Sequence, residues 1–368
     1  MRVDEMVAEG ERVMAVCNAC RYCEQYCPVF PAMERRVAFG SADLTYLANL
    51  CHNCGECLYA CQYAPPHEFN INVPRMLAEF RVATYEDYCW PRALGGAFRT
   101  HGVVTSLGLA LAFAAVMAGA IVAVDPAALA RPAGSANFFA VIPHELMVAL
   151  FGGVGLFVLL SLGIGLRRFW LDIERNAVAK GTTRASGGVG RAMADVLTLR
   201  HLHPEGVDCV SAEETRVAWR RWFHHATFYG FGLCFLSTTV AALYHFAGWP
   251  APYAYTSLPV VLGTIGGLGL LVGPIGLLSV RARRDPLLTD PAQAGLDHAF
   301  ITLLLATSAT GLALLVLRHQ SFMASLLVVH LGTVLALFVT MPYGKFVHGF
   351  YRTVALVLSA RETAHDPH

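Results

Sequence analysis

The sequence predicts an all-α protein in two parts, a polar helical head of about 100 residues followed by a six-helix transmembrane bundle. Three observations predict it. Hydrophobic residues make up 55% of the 368 and charged residues only 14%, with a mean hydropathy of +0.50, too apolar for an ordinary soluble domain. Charge is concentrated in residues 1–100, after which long uncharged runs alternate with charged loops. Eight of the eleven cysteines, all of them in the head, form two copies of one spacing pattern.

The head opens with MRVDEMVAEGERVMAVCNAC, which is acidic and basic by turns and lacks a continuous apolar core. No secretory signal is expected from it, and the head is expected to stay in the cytoplasm. Cysteines there remain reduced, so tight clusters of them read as metal ligands before disulfides. Cys17, Cys20, Cys23 and Cys27 form C-x2-C-x2-C-x3-C followed by Pro28, and Cys51, Cys54, Cys57 and Cys61 repeat the spacing with Gln62 in place of the proline. In paired motifs of this kind, three thiolates hold one four-iron, four-sulfur cubane and the fourth cysteine reaches the other. The expected ligand sets are therefore Cys17, Cys20, Cys23 and Cys61 for the first 4Fe-4S cluster, and Cys51, Cys54, Cys57 and Cys27 for the second. A structural zinc site needs only two cysteine pairs and has no use for the whole pattern twice. Between the motifs, PVFPAMERRVAFGSADLTYLANL reads as helix, which makes the head an α-helical ferredoxin-like domain. His52 and His67, beside complete cysteine sets, are expected to tune or cap them. Cys89, Cys209 and Cys234 stand alone and read as small packing residues.

The body, residues 101–368, contains six apolar runs at about 102–124, 146–166, 224–247, 257–280, 299–317 and 321–344. Each is near the roughly 20 residues that a helix needs to cross a bilayer, and a lone strand there would leave its backbone groups unpaired. Lys and Arg number ten in 167–222, three in 281–297 and three after 344, against one, none and one in 125–145, 248–256 and 318–320. Basic loops mark the cytoplasmic side, so both termini and the cysteine head are expected there. The glycines of GTTRASGGVGR, within 167–222, follow no apolar strand and read as a flexible linker rather than a phosphate cradle. No flavin, nicotinamide or molybdenum motif is present. A net charge of +1 without a concentrated basic face argues against nucleic acid.

Histidines inside apolar spans are costly and mark functional sites. His330 and His348 are 18 residues apart, five turns of a continuous helix, which would set them on one face roughly 27 Å apart. Each is expected to ligate a haem near a different membrane surface. On the third span His224 or His225 stands at the inner end and His245 at the outer end. The expected pairs are His224 or His225 with His348, and His245 with His330, giving two haem b groups. His298 and His319 form a rival pair, while His101 and His144 read as interfacial, as do Trp170, Trp222 and Trp249.

The two cysteine motifs, RRWFHHATFYGFGLCFLSTTVAALYHF and HLGTVLALFVTMPYGKFVHGFYR resemble the tricarballylate or citrate utilisation protein B family, over nearly the whole chain. The last segment is also similar to the ligand-bearing helix of the nitrate reductase haem subunit, which selects His330 and His348. The resemblance implies that the chain reoxidises a separate FAD-containing dehydrogenase and passes electrons through the clusters and haem to membrane quinone. The tricarballylate- or citrate-type substrate is then met by the partner. A different reading makes the chain the membrane arm of a heterodisulfide-reductase-like quinol oxidoreductase, and a redox sensor is a third.

Overall fold

The computed structural model describes residues 3–129, 138–182, 188–202 and 212–365, and all regular structure among them is helical. Five helices build the head: α1 (Val3–Cys20), α2 (Val29–Glu34), α3 (Ser41–Leu50), α4 (Glu56–Tyr59) and α5 (Val73–Tyr88). The body follows as α6 (Gly95–Val124), α7 (His144–Ala179), α8 (Val189–Thr198), α9 (Ala212–Phe246), α10 (Leu258–Ala282), α11 (Pro291–Val316), α12 (Met323–Thr340) and α13 (His348–His365). Six of these, α6, α7 and α9 to α12, are long and apolar enough to cross a membrane.

Local chemistry sets the helix starts. The Asn72 side chain accepts from the Arg75 amide at 3.1 Å to open α5, and the Asp290 side chain accepts from the Gln293 amide at 2.7 Å to open α11, each with a proline in the first turn. Between the cysteine motifs the chain forms two helices rather than one. They part at Arg35–Gly40, where the Asp43 side chain turns back to accept from the Gly40 amide at 3.0 Å and starts α3 afresh.

The basic segment 167–222 departs from a flexible linker in much of its length. Helix α7 runs on to Ala179, α8 is a further helix, and Gly181 and Gly188 turn the chain with φ of +71° and +78°, a conformation glycine adopts without penalty. A Cβ on Gly188 would lie 2.7 Å from that of Ala360, so this glycine also lets the segment lie against α13. Residues 183–187 of that segment, and Cys209, lie outside the described residues.

A second departure bears directly on the histidines. The sixth span does not continue to His348: α12 stops at Thr340, Met341–Val347 form a turn, and His348 opens a new helix. Pro342 has no N–H to extend the ladder, and Tyr343 pins the turn by stacking on Phe98 at 5.7 Å and donating to the Trp90 carbonyl at 3.0 Å. His330 and His348 therefore share no continuous helix face.

Close packing of α9 on α10 positions the remaining histidines. Gly266, Gly269 and Gly273 form a small-residue face on α10, where a Cβ would lie 2.8 Å from the Gly230 carbonyl oxygen, 2.9 Å from that of Ala226 and 2.7 Å from that of Phe223, respectively. Small residues at such spacing let helix backbones approach in lipid, where packing drives association.

Head and body share one core. Met14, Leu44, Leu47 and Phe80 of the head are buried in the same cluster as Phe169 of α7 and Tyr351 and Leu358 of α13. A buried ionic group joins them: Arg36 pairs with Asp43 at 2.9 Å and Glu362 at 2.7 Å, and Lys180 reaches Asp43 at 2.6 Å. The Tyr46 and Thr182 hydroxyls each donate to Glu362 at 3.0 Å. Full pairing is what makes such charges tolerable away from water.

Candidate functional site

The eight motif cysteines of the head gather into two groups. Cys17 is pushed up to about 12, first by burial and then by Cys61, Cys23 and Cys20; Cys23 is raised to about 12 by burial, then by Cys61 and Cys20. Cys27 stands well above the usual thiol range through burial and then Cys54 and Cys51, and Cys57 likewise through burial and then Cys54, Cys27 and Cys51. Cys61, although it belongs to the second motif, thus stands with the first, and Cys27 with the second. A cavity is bounded by Cys27, Cys51, Cys54 and Cys57 together with Tyr26, Phe30, Val73 and Leu77. Among the described residues no three His, Cys, Asp or Glu side chains close on a point to hold a single metal ion. The four cysteines of the second group line one cavity, where a four-iron cubane would draw on all of them. Thiolates are the ligating form, so binding iron would displace the protons these buried thiols hold.

Local backbone geometry makes the second group possible. Cys51 caps α3, Asn53 and Gly55 take φ of +54° and +100°, and the Asn53 amide donates to Cys51 Sγ at 3.3 Å. The first group is more open, with Cys20 exposed.

His224 and His348 meet across the α9–α13 contact. Their ring centroids are 6.0 Å apart and the planes are inclined at 74°. Two imidazoles bound to one iron from opposite sides, each at about 2 Å, hold their centroids roughly 6 Å apart. His348 Nδ1 bonds to the Lys345 carbonyl at 2.6 Å, which leaves Nε2 for a ligand, and His224 Nδ1 is buried without a hydrogen-bond partner. These residues fit a bis-histidine haem. His225 turns elsewhere, stacking on Tyr229 at 5.7 Å and 7°.

The outer histidines form a different arrangement from the expected one. His245 stacks on His144 at 3.7 Å, with Phe139 at 5.0 Å, while His330 Nδ1 lies 3.0 Å from Thr310 Oγ1, close against Gly311 of α11. Each has turned to a different neighbour because α12 packs on α11 and α6, whereas the outer end of α9 meets the start of α7. His144, expected at an interface, is the one that meets His245. His67 stays with its own turn, accepting from the Phe69 amide at 3.1 Å and resting edge-on against Tyr63.

Residues 99–367 match the family described as Citrate utilization protein B, and residues 10–87 match that family's Fer4-like domain. The chain belongs to this family. Citrate utilization protein B of Escherichia coli is 49% identical over 360 residues, covering 97% of this chain and 93% of that protein. No solved structure matches. The Fer4-like match contains all eight clustered cysteines, so the head is an iron–sulfur domain.

Sequence reading missed a set of arginines around the second cysteine group. Arg81 donates to the Cys51 carbonyl at 2.6 Å, Arg220 to those of His52 at 2.7 Å and Asn53 at 3.1 Å, and Arg284 to that of Asn53 at 2.6 Å. Burial, then Arg352 and Arg220, hold the His52 imidazole well below its usual range. The signal was present in spacing: Arg220 precedes His224 by one turn and Arg352 follows His348 by one turn.

Proposed function

We propose that this chain is the membrane electron-transfer partner of a separate FAD-dependent dehydrogenase acting on citrate, tricarballylate or a related acid, and that it delivers electrons to membrane quinone. Two 4Fe-4S clusters and a haem b supply the one-electron redox chemistry when bound. One observation carries the reading: Cys27 of the first motif lines the same cavity as Cys51, Cys54 and Cys57 of the second. Cys17, Cys20, Cys23 and Cys61 hold the outer cluster, and Cys51, Cys54, Cys57 and Cys27 the inner one. His224 and His348 hold the haem iron, and the Lys345 carbonyl fixes the tautomer of His348 so that Nε2 is free. The name of the relative in Escherichia coli supports the link to citrate.

The head, residues 1–100, faces the cytoplasm of a bacterium, and the body, 101–368, lies in its inner membrane. Its six apolar helices and the basic loops between them support that placement. Of the groups the chain presents, the exposed Cys20 loop is the natural site for a reduced flavoprotein to approach.

Chemical analysis of the anaerobically purified chain tests the cluster assignment: two four-iron cubanes amount to about eight iron and eight sulfide. Cys61→Ser should perturb the electron paramagnetic resonance signal that Cys20→Ser also perturbs, and Cys27→Ser the other signal. Cys61→Ser acting with the Cys51 motif instead would overturn the crossed arrangement.

A further inference from the structure

The second cysteine group lies in a cage of guanidinium groups from four separate elements, Arg81 buried and Arg220, Arg284 and Arg352 partly so. Arg81 of α5, Arg220 of α9 and Arg284 after α10 all donate to carbonyls of the Cys51–Asn53 loop, at 2.6 to 3.1 Å. Arg352 of α13 lies in the same region, where its strongest charge partners are Cys51 and then Cys27 after neighbouring Arg81 is counted. Several donors remain: Arg81 Nε and Nη2 and Arg352 Nη2 are buried with no hydrogen-bond partner. Burial first, and then the neighbouring guanidiniums of Arg220, Arg281 and Arg81, push Arg284 down to about 10. Among the described residues the first group has no such surroundings. Its nearby Arg21 is exposed and bonds to the Asn18 carbonyl, and Cys20 itself is open to water.

Gaining an electron makes a cluster more negative, so its potential rises with buried positive charge and with donors aimed at its sulfurs, and less with charges that water screens. Resting on the cluster reading above, we propose that Arg81, Arg220, Arg284 and Arg352 make the Cys51–Cys54–Cys57–Cys27 site the higher-potential member of the pair. An electron delivered at the exposed Cys17–Cys20–Cys23–Cys61 site then passes inward, oxidising that site and reducing the caged one, with no proton or bond exchanged. Arg220 and Arg352 extend the cage toward the membrane, since each lies one helical turn, about 6 Å, from the facing rings of His224 and His348. The cage thereby gives the chain a direction of flow.

The test is a potentiometric titration of the full-length, detergent-purified protein followed by electron paramagnetic resonance, with the outer signal assigned through Cys20→Ser. In the wild type the caged site should fill first as the potential is lowered. Arg284→Gln should cut that preference at least tenfold, about 59 mV for a one-electron couple, with the outer signal unmoved, and Arg284→Lys should restore most of it. An outer site that fills first in the wild type overturns the proposal whether or not the variants accumulate, as does an equal shift of both signals in Arg284→Gln. Non-haem iron near eight per chain in those samples confines the failure to the arginines; non-haem iron well below that overturns the cluster reading and this inference with it.

Discussion

Replacing Glu362 with alanine should loosen the attachment of the head to the body, and the size of the effect follows from the pairing that Glu362 provides. Glu362 is fully buried, and so is Arg36 at 2% exposure, so no water screens their 2.7 Å pair. Removing one member of a buried pair costs about 3–5 kcal/mol because the other charge is left behind. Arg36 keeps Asp43 at 2.9 Å, which places the expected cost at the low end, about 3 kcal/mol. That is roughly a hundredfold increase in the population in which the head has opened locally. Amide hydrogen exchange reads it directly: peptides from α2 and α3 and from the end of α13 should exchange about a hundredfold faster, while α9 and α10 keep their protection. Glu362→Gln, which keeps one oxygen to accept from either the Tyr46 or the Thr182 hydroxyl, should fall between. Unchanged exchange in α2 and α3, or equal acceleration in α9 and α10, would refute the claim that this ionic group is what locks the two parts.

Two further outcomes follow from the body. His224→Ala and His348→Ala should each abolish the same b-type absorbance in purified protein, whereas His225→Ala and His245→Ala should retain it, because those rings face Tyr229 and His144; haem retained in His348→Ala would remove the bis-histidine assignment. Gly273→Val should lower the thermal midpoint and weaken haem retention, since a Cβ there meets the Phe223 carbonyl at 2.7 Å and overpacking typically costs about 1–3 kcal/mol. A Gly273→Val protein as stable as wild type would show that α9 and α10 need no close approach.

Much of this architecture is legible in the sequence because its signals are local. Fixed cysteine spacing marks the head as an iron–sulfur domain, as the Fer4-like match bears out, and six uncharged runs name the helices that can span a membrane. What sequence reading lost was tertiary. The histidines at 330 and 348 share a helical period only if the helix is unbroken, and Pro342 and Tyr343 break it. The inner pair, His224 with His348, nonetheless forms because α13 turns back along the head toward the inner end of α9. His245 instead meets His144, a contact set by how α7 begins beside the end of α9, which no spacing rule reveals. The arginine cage was legible only in part: Arg220 and Arg352 stand one turn from His224 and His348, but no spacing points Arg284 at the cysteine loop. Arg281, Arg283 and Arg284 read as an inside-facing basic loop, and only the fold shows Arg284 turned onto the Asn53 carbonyl while Arg281 is taken up by Asp297.

Electrons from a flavoprotein, on the reading proposed above, travel through the head to a haem held by His224 and His348. The most direct measurement of that route is the visible spectrum of membranes containing the chain, recorded before and after addition of the reduced dehydrogenase partner. A b-type haem band should become reduced, should be absent in His348→Ala, and should lose its reduction by the partner in Cys20→Ser while dithionite still reduces it. A band that the partner reduces equally in Cys20→Ser, or no reducible band at all, would contradict the route.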